Sequence, residues 1–85
     1  MTWTVIVARA ARKELVKFPD RDQKKIAAAL LEMSEDPFCG DIRKLEGMKN
    51  RWRRRVGQYR IFFAVDSTER VVSVSAILRR TSTTY

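Results

Sequence analysis

The chain has 85 residues, enough for one small domain, and 45% of them are hydrophobic while 33% are charged. This balance is typical of a globular protein and excludes a collagen-like or disordered chain. Eighteen lysines and arginines stand against ten acidic residues and no histidine, so the net charge is +8 and histidine-based catalysis or metal binding is excluded.

The first part of the chain predicts one strand and one helix. Residues 3–7 alternate with period two, which indicates a short strand. Apolar residues then recur every three or four positions, and this helical stripe consists of Ala8, Ala11, Leu15 and Phe18. The helix should end near Phe18, because Pro19 disfavours a helical residue before it.

A second helix is predicted between Asp20 and the Asp36-Pro37 pair. Asp20 is expected to act as its N-cap, with Gln23 in the capping-box position three residues later. Its apolar stripe consists of Ile26, Ala29, Leu30 and Met33. Because so few residues join them, the two helices should form a hairpin.

The remainder predicts a connection and three strands. Residues 37–51 contain two glycines and predict a loop, which is followed by strands over residues 52–56, 59–65 and 71–78. One face of the last strand should carry Val72, Val74, Ala76 and Leu78. The other face should carry Ser73, Ser75 and Arg79.

These elements define an α+β fold with the order β-α-α-β-β-β, in a single domain that spans residues 1–85. Sequential strands joined by short turns should pair antiparallel. The helical hairpin should cover one face of this sheet, because each helix has one apolar stripe to bury. If Trp52 points to the core, Arg53 and Arg55 point to the opposite, open face.

The positive charge is concentrated in the second half of the chain. Residues 41–85 contain eleven basic and four acidic side chains, and the window 49–60 contains six basic and no acidic ones. Such a surface attracts polyanions, of which nucleic acid is the commonest. High net charge also keeps a small domain soluble, so the charge alone leaves both interpretations open.

Arginines on an open sheet face suit phosphate chemistry. Guanidinium groups bind phosphate in a bidentate manner, and they stabilise the negative charge that develops when a phosphodiester is attacked. No carboxylate cluster for a two-metal mechanism is evident in the sequence. A nuclease here is therefore expected to use the RNA 2′-OH as its nucleophile, with no metal and no cofactor. A binding surface without catalysis is the alternative.

The segment from residue 44 to residue 61, KLEGMKNRWRRRVGQYRI, resembles the signature of the RelE/ParE toxins of bacterial type II toxin–antitoxin systems. That signature reads K-L-x-G and then W-R-x-R-V-G-x-Y-R-I, and its spacing is kept without gaps. The order of elements and the tyrosine that follows the last strand also agree with this family. The resemblance implies a RelE-like fold and, for a RelE-type member, metal-free cleavage of mRNA in the ribosomal A site.

The resemblance also implies site residues, each matched by position. Arg60 and Arg79 would hold the scissile phosphate. Arg53 or Arg55 would stabilise the transition state or assist the leaving oxygen, and Tyr85 would stack on a base or activate the 2′-OH. General contacts with RNA are expected from Lys44, Lys49, Arg51, Arg54 and Arg80. Among these residues, Arg54 occupies a position that is usually aliphatic in the family, on the predicted core side of its strand.

Three functions remain open from the sequence. The basic pair and the terminal arginine and tyrosine favour a ribosome-dependent mRNA endoribonuclease over a ParE-type DNA gyrase inhibitor. A nucleic-acid-binding module without toxicity is the third. Either toxin implies an acidic, RelB-like antitoxin that folds across the basic face, and the first also implies the ribosome and mRNA as partners.

A cytoplasmic location without membrane association is expected. The longest apolar run, residues 26–31, is about six residues, far below the roughly 20 that span a bilayer. The first residues lack the pattern of a secretory signal, and the single cysteine, Cys39, fits a reducing compartment.

Overall fold

Seven elements of secondary structure follow one another in a computed structural model of the chain, which describes residues 2–80. A strand β1 (Thr4–Val7) leads into two helices, α1 (Arg9–Leu15) and α2 (Asp20–Glu35). Four strands follow, namely β2 (Asp41–Lys44), β3 (Arg51–Val56), β4 (Tyr59–Asp66) and β5 (Val71–Arg79). The predicted α+β class is confirmed. Within the described residues, no helix is long and apolar enough to cross a membrane.

The five strands form one mixed sheet in the order β1-β5-β4-β3-β2. Strands β2 to β5 pair antiparallel with their neighbours in sequence, as predicted for the last three. Strand β1 pairs parallel with β5. The last strand therefore lies inside the sheet, between the first and the fourth, while β1 and β2 form the two edges.

Strand β2 lies in the segment that the sequence predicts as a loop, so that part of the prediction is wrong. Its four residues pair with β3 from Arg55 back to Trp52. Only Ile42 among the four is apolar, so the period-two pattern that reveals a half-buried strand is too short to see. A short, charged edge strand of this kind also resists pairing with another sheet.

The core lies between the helices and one face of the sheet. Alternate residues of β4, from Tyr59 to Val65, point towards the helices and are at most 5% exposed. The helices contribute the buried residues Ala11, Ile26, Ala29 and Met33. These four belong to the predicted stripes. Together with the partly buried Leu15, Phe18 and Leu30 they confirm the stripes except at Ala8, which is exposed at the N-cap of α1. Burying one large apolar side chain contributes about 1.5–3 kcal/mol, so this layer holds the helices on the sheet.

The junction between the two helices differs from the predicted capping box. Pro19 has the extended backbone of an N-cap (φ −55°, ψ 147°), so Asp20 falls inside helix α2. The Gln23 side chain turns back to the preceding segment and donates to the carbonyl oxygens of Phe18, at 2.8 Å, and of Val16, at 3.3 Å. Gln23 therefore satisfies carbonyl groups that follow helix α1, which ends earlier than predicted.

A bulge interrupts the pairing of β4 with β5. Phe62 pairs with Ala76, whereas the next residue, Phe63, pairs with Val74. One residue of β5, Ser75, is therefore extra, and its hydroxyl donates to the Phe62 carbonyl oxygen at 3.3 Å. An extra residue of this kind reverses the alternation of the strand beyond it.

The bulge overturns the predicted faces of the last part of β5. Ile77 is fully buried against the helices, and Leu78 is 48% exposed on the opposite face. The prediction that Ala76 and Leu78 share a face with Val72 and Val74 is wrong, and so is the prediction that Arg79 shares a face with Ser73. Both errors follow from assuming an uninterrupted period of two along the whole strand.

Candidate functional site

The open face of the sheet, opposite the helices, carries an arginine cluster on three neighbouring strands. Its members are Arg43 on β2, Arg51, Arg53 and Arg55 on β3, and Arg60 on β4. Cross-strand partners share a face, and the register pairs Arg55 with Arg60 and Arg53 with Arg43. Partners directly opposite have Cβ atoms about 4.5–5.5 Å apart, so the five cations form one continuous surface.

This arginine cluster has little counter-charge around it. The two ion pairs found within residues 2–80 involve Lys17 and Arg54, neither of which belongs to the cluster. The register places one carboxylate directly opposite a member of the cluster, that of Asp41, which pairs with Arg55. Like charges at this spacing repel one another, and a bound polyanion removes that repulsion. The cluster is therefore suited to a phosphate backbone.

An apolar hollow of about 240 Å³ adjoins the cluster on the open face. Its lining includes Leu45, Met48, Phe62, Ala76 and Leu78. Phe62 lies opposite Arg53 in the register, so an aromatic residue and an arginine occupy neighbouring positions on this face. Aromatic rings beside cations are typical of surfaces that stack nucleobases while they bind phosphates.

Three of the five predicted catalytic residues lie together in this cluster. Arg53, Arg55 and Arg60 share the open face, because Trp52 packs towards the core as the prediction required. Their catalytic roles stay predictions. Tyr85 lies outside the described residues, so its predicted position beside the arginines is not tested.

Arg79 lies in a different environment, at the end of β5. Beyond the bulge its register partner is Tyr59, which faces the helices, so Arg79 does not share the face of the cluster. Its Nη2 donates to Gln58 Oε1 at 3.3 Å. The Tyr59 hydroxyl donates to Asp22 Oδ2 at 2.7 Å, and this hydrogen bond, together with burial, raises the pKa of Tyr59 above its usual value. The contact of Arg79 with the scissile phosphate stays a prediction.

Arg54 points away from the cluster, into the layer between sheet and helices, and is only 8% exposed. Its Nη1 donates to the Ala29 carbonyl oxygen at 3.2 Å and contacts Cys39 Sγ at 3.4 Å, while its Nη2 pairs with the Glu32 carboxylate. The prediction that Arg54 binds RNA is wrong, because helix α2 and the loop before β2 enclose its guanidinium group. The side chain ties β3 to α2 instead.

The other predicted RNA contacts surround the site without forming a single group. Arg51 belongs to the cluster. Lys44 pairs with Trp52, so it lies at the sheet edge on the helix side, where it is exposed. Lys49 is exposed in the loop between β2 and β3, and Arg80 is exposed directly after β5. Their contacts with RNA stay predictions.

Two parts of the site were missed by the sequence analysis. The sequence predicts a loop over Asp41 and Arg43, because the one apolar residue between them, Ile42, is too short a pattern to indicate a strand. Phe62 lies in a segment that is apolar at nearly every position. This composition hides the burial pattern, in which Phe62 alternates with fully buried neighbours and faces outward.

Solved structures of bacterial and archaeal toxins share this fold. The RelE–RelB complex of Pyrococcus horikoshii OT3 matches with a TM-score of 0.87 at 23% identity, over 96% of this chain and 99% of that chain. The isolated E. coli RelE toxin matches with a TM-score of 0.81 at 21% identity, over 96% and 88%. The YoeB/ParE toxin from Agrobacterium tumefaciens matches with a TM-score of 0.75 at 18% identity, over 92% and 99%. The chain thus has the fold of these toxins.

The family itself follows from the sequence. Residues 5–83 match the model of the ParE toxin of the type II toxin–antitoxin system parDE. The chain belongs to this family and is a type II toxin of the RelE/ParE superfamily. The resemblance drawn from residues 44–61 is therefore confirmed. No curated protein matches the sequence.

Proposed function

We propose that this toxin is a ribosome-dependent endoribonuclease, which binds mRNA on its open face in the A site and cleaves it by attack of the 2′-OH. The observation that carries this proposal is the arginine cluster beside the apolar hollow. The cluster offers guanidinium groups to successive phosphates, and Phe62 offers a ring on which a base stacks. A surface that only attracts polyanions needs the positive charge of the cluster but does not need the apolar hollow beside it.

Arg55 and Arg60 face each other across β3 and β4, and we assign the scissile phosphate to them. Attack of the 2′ oxygen on phosphorus increases the negative charge on the non-bridging oxygens. Two guanidinium groups held in advance stabilise that charge without reorganising. Arg53, in the next row, binds the neighbouring phosphate or assists the leaving 5′ oxygen. Tyr85 keeps its predicted role in stacking on a base or activating the 2′-OH.

The shallowness of the site supports a requirement for the ribosome. The hollow of about 240 Å³ is smaller than the pockets of about 300–1,000 Å³ that enclose a small ligand. The open face therefore offers contacts to RNA on one side only. In the proposed mechanism the ribosome holds the codon from the other side, and this orientation supplies the part of catalysis that a flat surface lacks.

An acidic antitoxin is the proposed partner that restrains the toxin. The Pyrococcus horikoshii relative was solved as a complex of RelE with RelB. In this chain the positive surface of the arginine cluster attracts a negatively charged segment, which would fold across the open face and exclude RNA. Antitoxin, ribosome and mRNA meet in the cytoplasm, which is the proposed location.

A translation extract tests the proposed activity. Toxin is added to the extract and the new mRNA ends are mapped by primer extension, with breaks expected inside A-site codons only when ribosomes are present. Arg60→Ala should lower cleavage by about 10²–10³-fold, the usual effect of removing one donor to a developing oxyanion. Arg21→Ala removes the same charge from an exposed position on α2 and should cleave as the wild type does. Intact mRNA with the wild-type toxin contradicts the proposal.

A second candidate function is inhibition of DNA gyrase, and the family model favours it because that model describes parDE toxins. In that case the basic face would bind the enzyme or its DNA, and no RNA would be cut. The same preparation is assayed for gyrase supercoiling, and blocked supercoiling with intact mRNA supports this candidate. A nucleic-acid-binding module without toxicity is not retained, because the chain belongs to a toxin family.

A further inference from the structure

Cleavage by the 2′-OH route needs a group that accepts the 2′ proton, and the arginine cluster contains none. A guanidinium group stays protonated at physiological pH and cannot serve as a base. The chain has no histidine, which is the commonest general base. Tyr85 is the base that the family resemblance implies, and the open-face strands within residues 2–80 offer a second candidate.

One carboxylate lies in the row of the proposed scissile phosphate. Asp41, the first residue of β2, pairs with Arg55, and Arg55 pairs on its other side with Arg60. Neighbouring strands are about 4.8 Å apart, so the Asp41 and Arg60 backbones lie about 10 Å apart with Arg55 between them. A phosphate bound over Arg55 thus has a guanidinium group on one side and a carboxylate on the other.

The Asp41 carboxylate is open to RNA. The residue is exposed, lies on an edge strand and takes part in neither ion pair found within residues 2–80. Arg51 and Asp66 share its face farther along β3 and β4. The charged groups nearest to it on that face are Arg43 on its own strand, Arg53 and Arg55 on β3, and Arg60 beyond them. All four are cations, which draw a phosphate close to the carboxylate despite its like charge.

We propose that Asp41, rather than Tyr85, is the general base of the reaction, an inference that rests on the proposed ribonuclease function. Its carboxylate takes the proton of the 2′-OH as the 2′ oxygen forms a bond to phosphorus. The bond from phosphorus to the 5′ oxygen breaks, and that oxygen takes a proton from water. The products are a 2′,3′-cyclic phosphate and a 5′-hydroxyl end, and Asp41 returns its proton to solvent.

Asp41→Asn tests this role because it separates a general base from a surface charge. Loss of a base slows cleavage, whereas loss of a negative surface charge alone strengthens RNA binding and does not slow cleavage. Binding is measured on ribosomes programmed with mRNA that carries 2′-O-methyl nucleotides in the A-site codon, which blocks cleavage. Cleavage is measured in single turnover on the unmodified mRNA. Loss of the base should slow cleavage by about 10²–10⁴-fold. Binding should stay equal or become tighter, because the variant removes a negative charge from a phosphate-binding surface.

Two further variants define the outcome. Glu46→Gln removes the same charge from an exposed position in the loop between β2 and β3, and it should leave cleavage close to the wild-type rate. Asp41→Glu keeps the carboxylate and should recover part of the lost rate. Wild-type cleavage together with equally fast cleavage by Asp41→Asn overturns the inference and leaves the proposed function standing. No cleavage by the wild type overturns the proposed function, and the inference with it.

Discussion

Gly40→Ala adds a single methyl group, and we expect it to lower the free energy of unfolding markedly. The Gly40 backbone has φ +81°, a left-handed conformation that side chains disfavour. A Cβ at this position would also lie 2.8 Å from Nε and 2.9 Å from Cζ of Arg54. Gly40→Ala therefore combines a backbone cost with a collision against the guanidinium group that ties β3 to α2.

The two costs have separate magnitudes. An alanine in the left-handed region costs about 1–2 kcal/mol. Relief of the collision requires Arg54 to move, which loses its hydrogen bonds to Ala29 and Cys39 and costs a further ~1–3 kcal/mol. The expected loss is about 2–5 kcal/mol of the free energy of unfolding, which is a large part of the ~5–15 kcal/mol that stabilises a typical domain.

Gly57 provides the matched control. It also has a positive φ, +58°, but a Cβ there would meet no atom within 4 Å. Gly57→Ala should therefore cost only the ~1–2 kcal/mol of the backbone term. Both variants are unfolded in urea and followed by circular dichroism, and the difference between them measures the contact with Arg54. Equal losses, within about 0.5 kcal/mol, would refute the reasoning.

Two further predictions concern Tyr59 and Phe62. The hydrogen bond to Asp22 raises the pKa of Tyr59 above 10.0, so its stabilising effect is complete below that pH and is lost as the pH rises through the raised value. Urea unfolding between pH 7 and 11 should show a stability difference between the wild type and Tyr59→Phe that shrinks above pH 10, and a difference independent of pH would contradict this. Phe62→Ala should weaken binding to 2′-O-methyl RNA by about 1–3 kcal/mol, the usual value of one stacked base. Ile6→Ala, on the same face but outside the hollow, should not, and equal effects would exclude stacking on Phe62.

The sequence predicted those parts of the fold whose residues alternate clearly between apolar and polar. The stripe of α2 identified Ile26, Ala29 and Met33 as core residues, and their burial confirms it. The position of Trp52 correctly assigned Arg53 and Arg55 to the open face. In these segments the apolar side chains recur with the period of the backbone conformation, which is 3.6 residues in a helix and two in a strand.

The features that were missed depend on pairing between distant segments. Nothing in the residues around Ser75 marks a bulge, because the extra residue is defined by the hydrogen bonds of β4 and not by its own side chain. The burial of Arg54 likewise depends on Glu32, which is 22 residues away in the sequence, and on the space that Gly40 leaves. Patterns within one segment do not contain this information.

The central position of β5 in the sheet has a consequence for the folding of the toxin during its synthesis on the ribosome. The backbone groups of β1 find their strand partner only in residues 71–74, and helix α1 packs chiefly on the same strand. A nascent chain that ends before residue 71 therefore lacks the strand on which its first strand and first helix chiefly pack. Contacts so distant in sequence form late in folding. The order of synthesis thus delays the assembly of the native toxin until its last strand has been made.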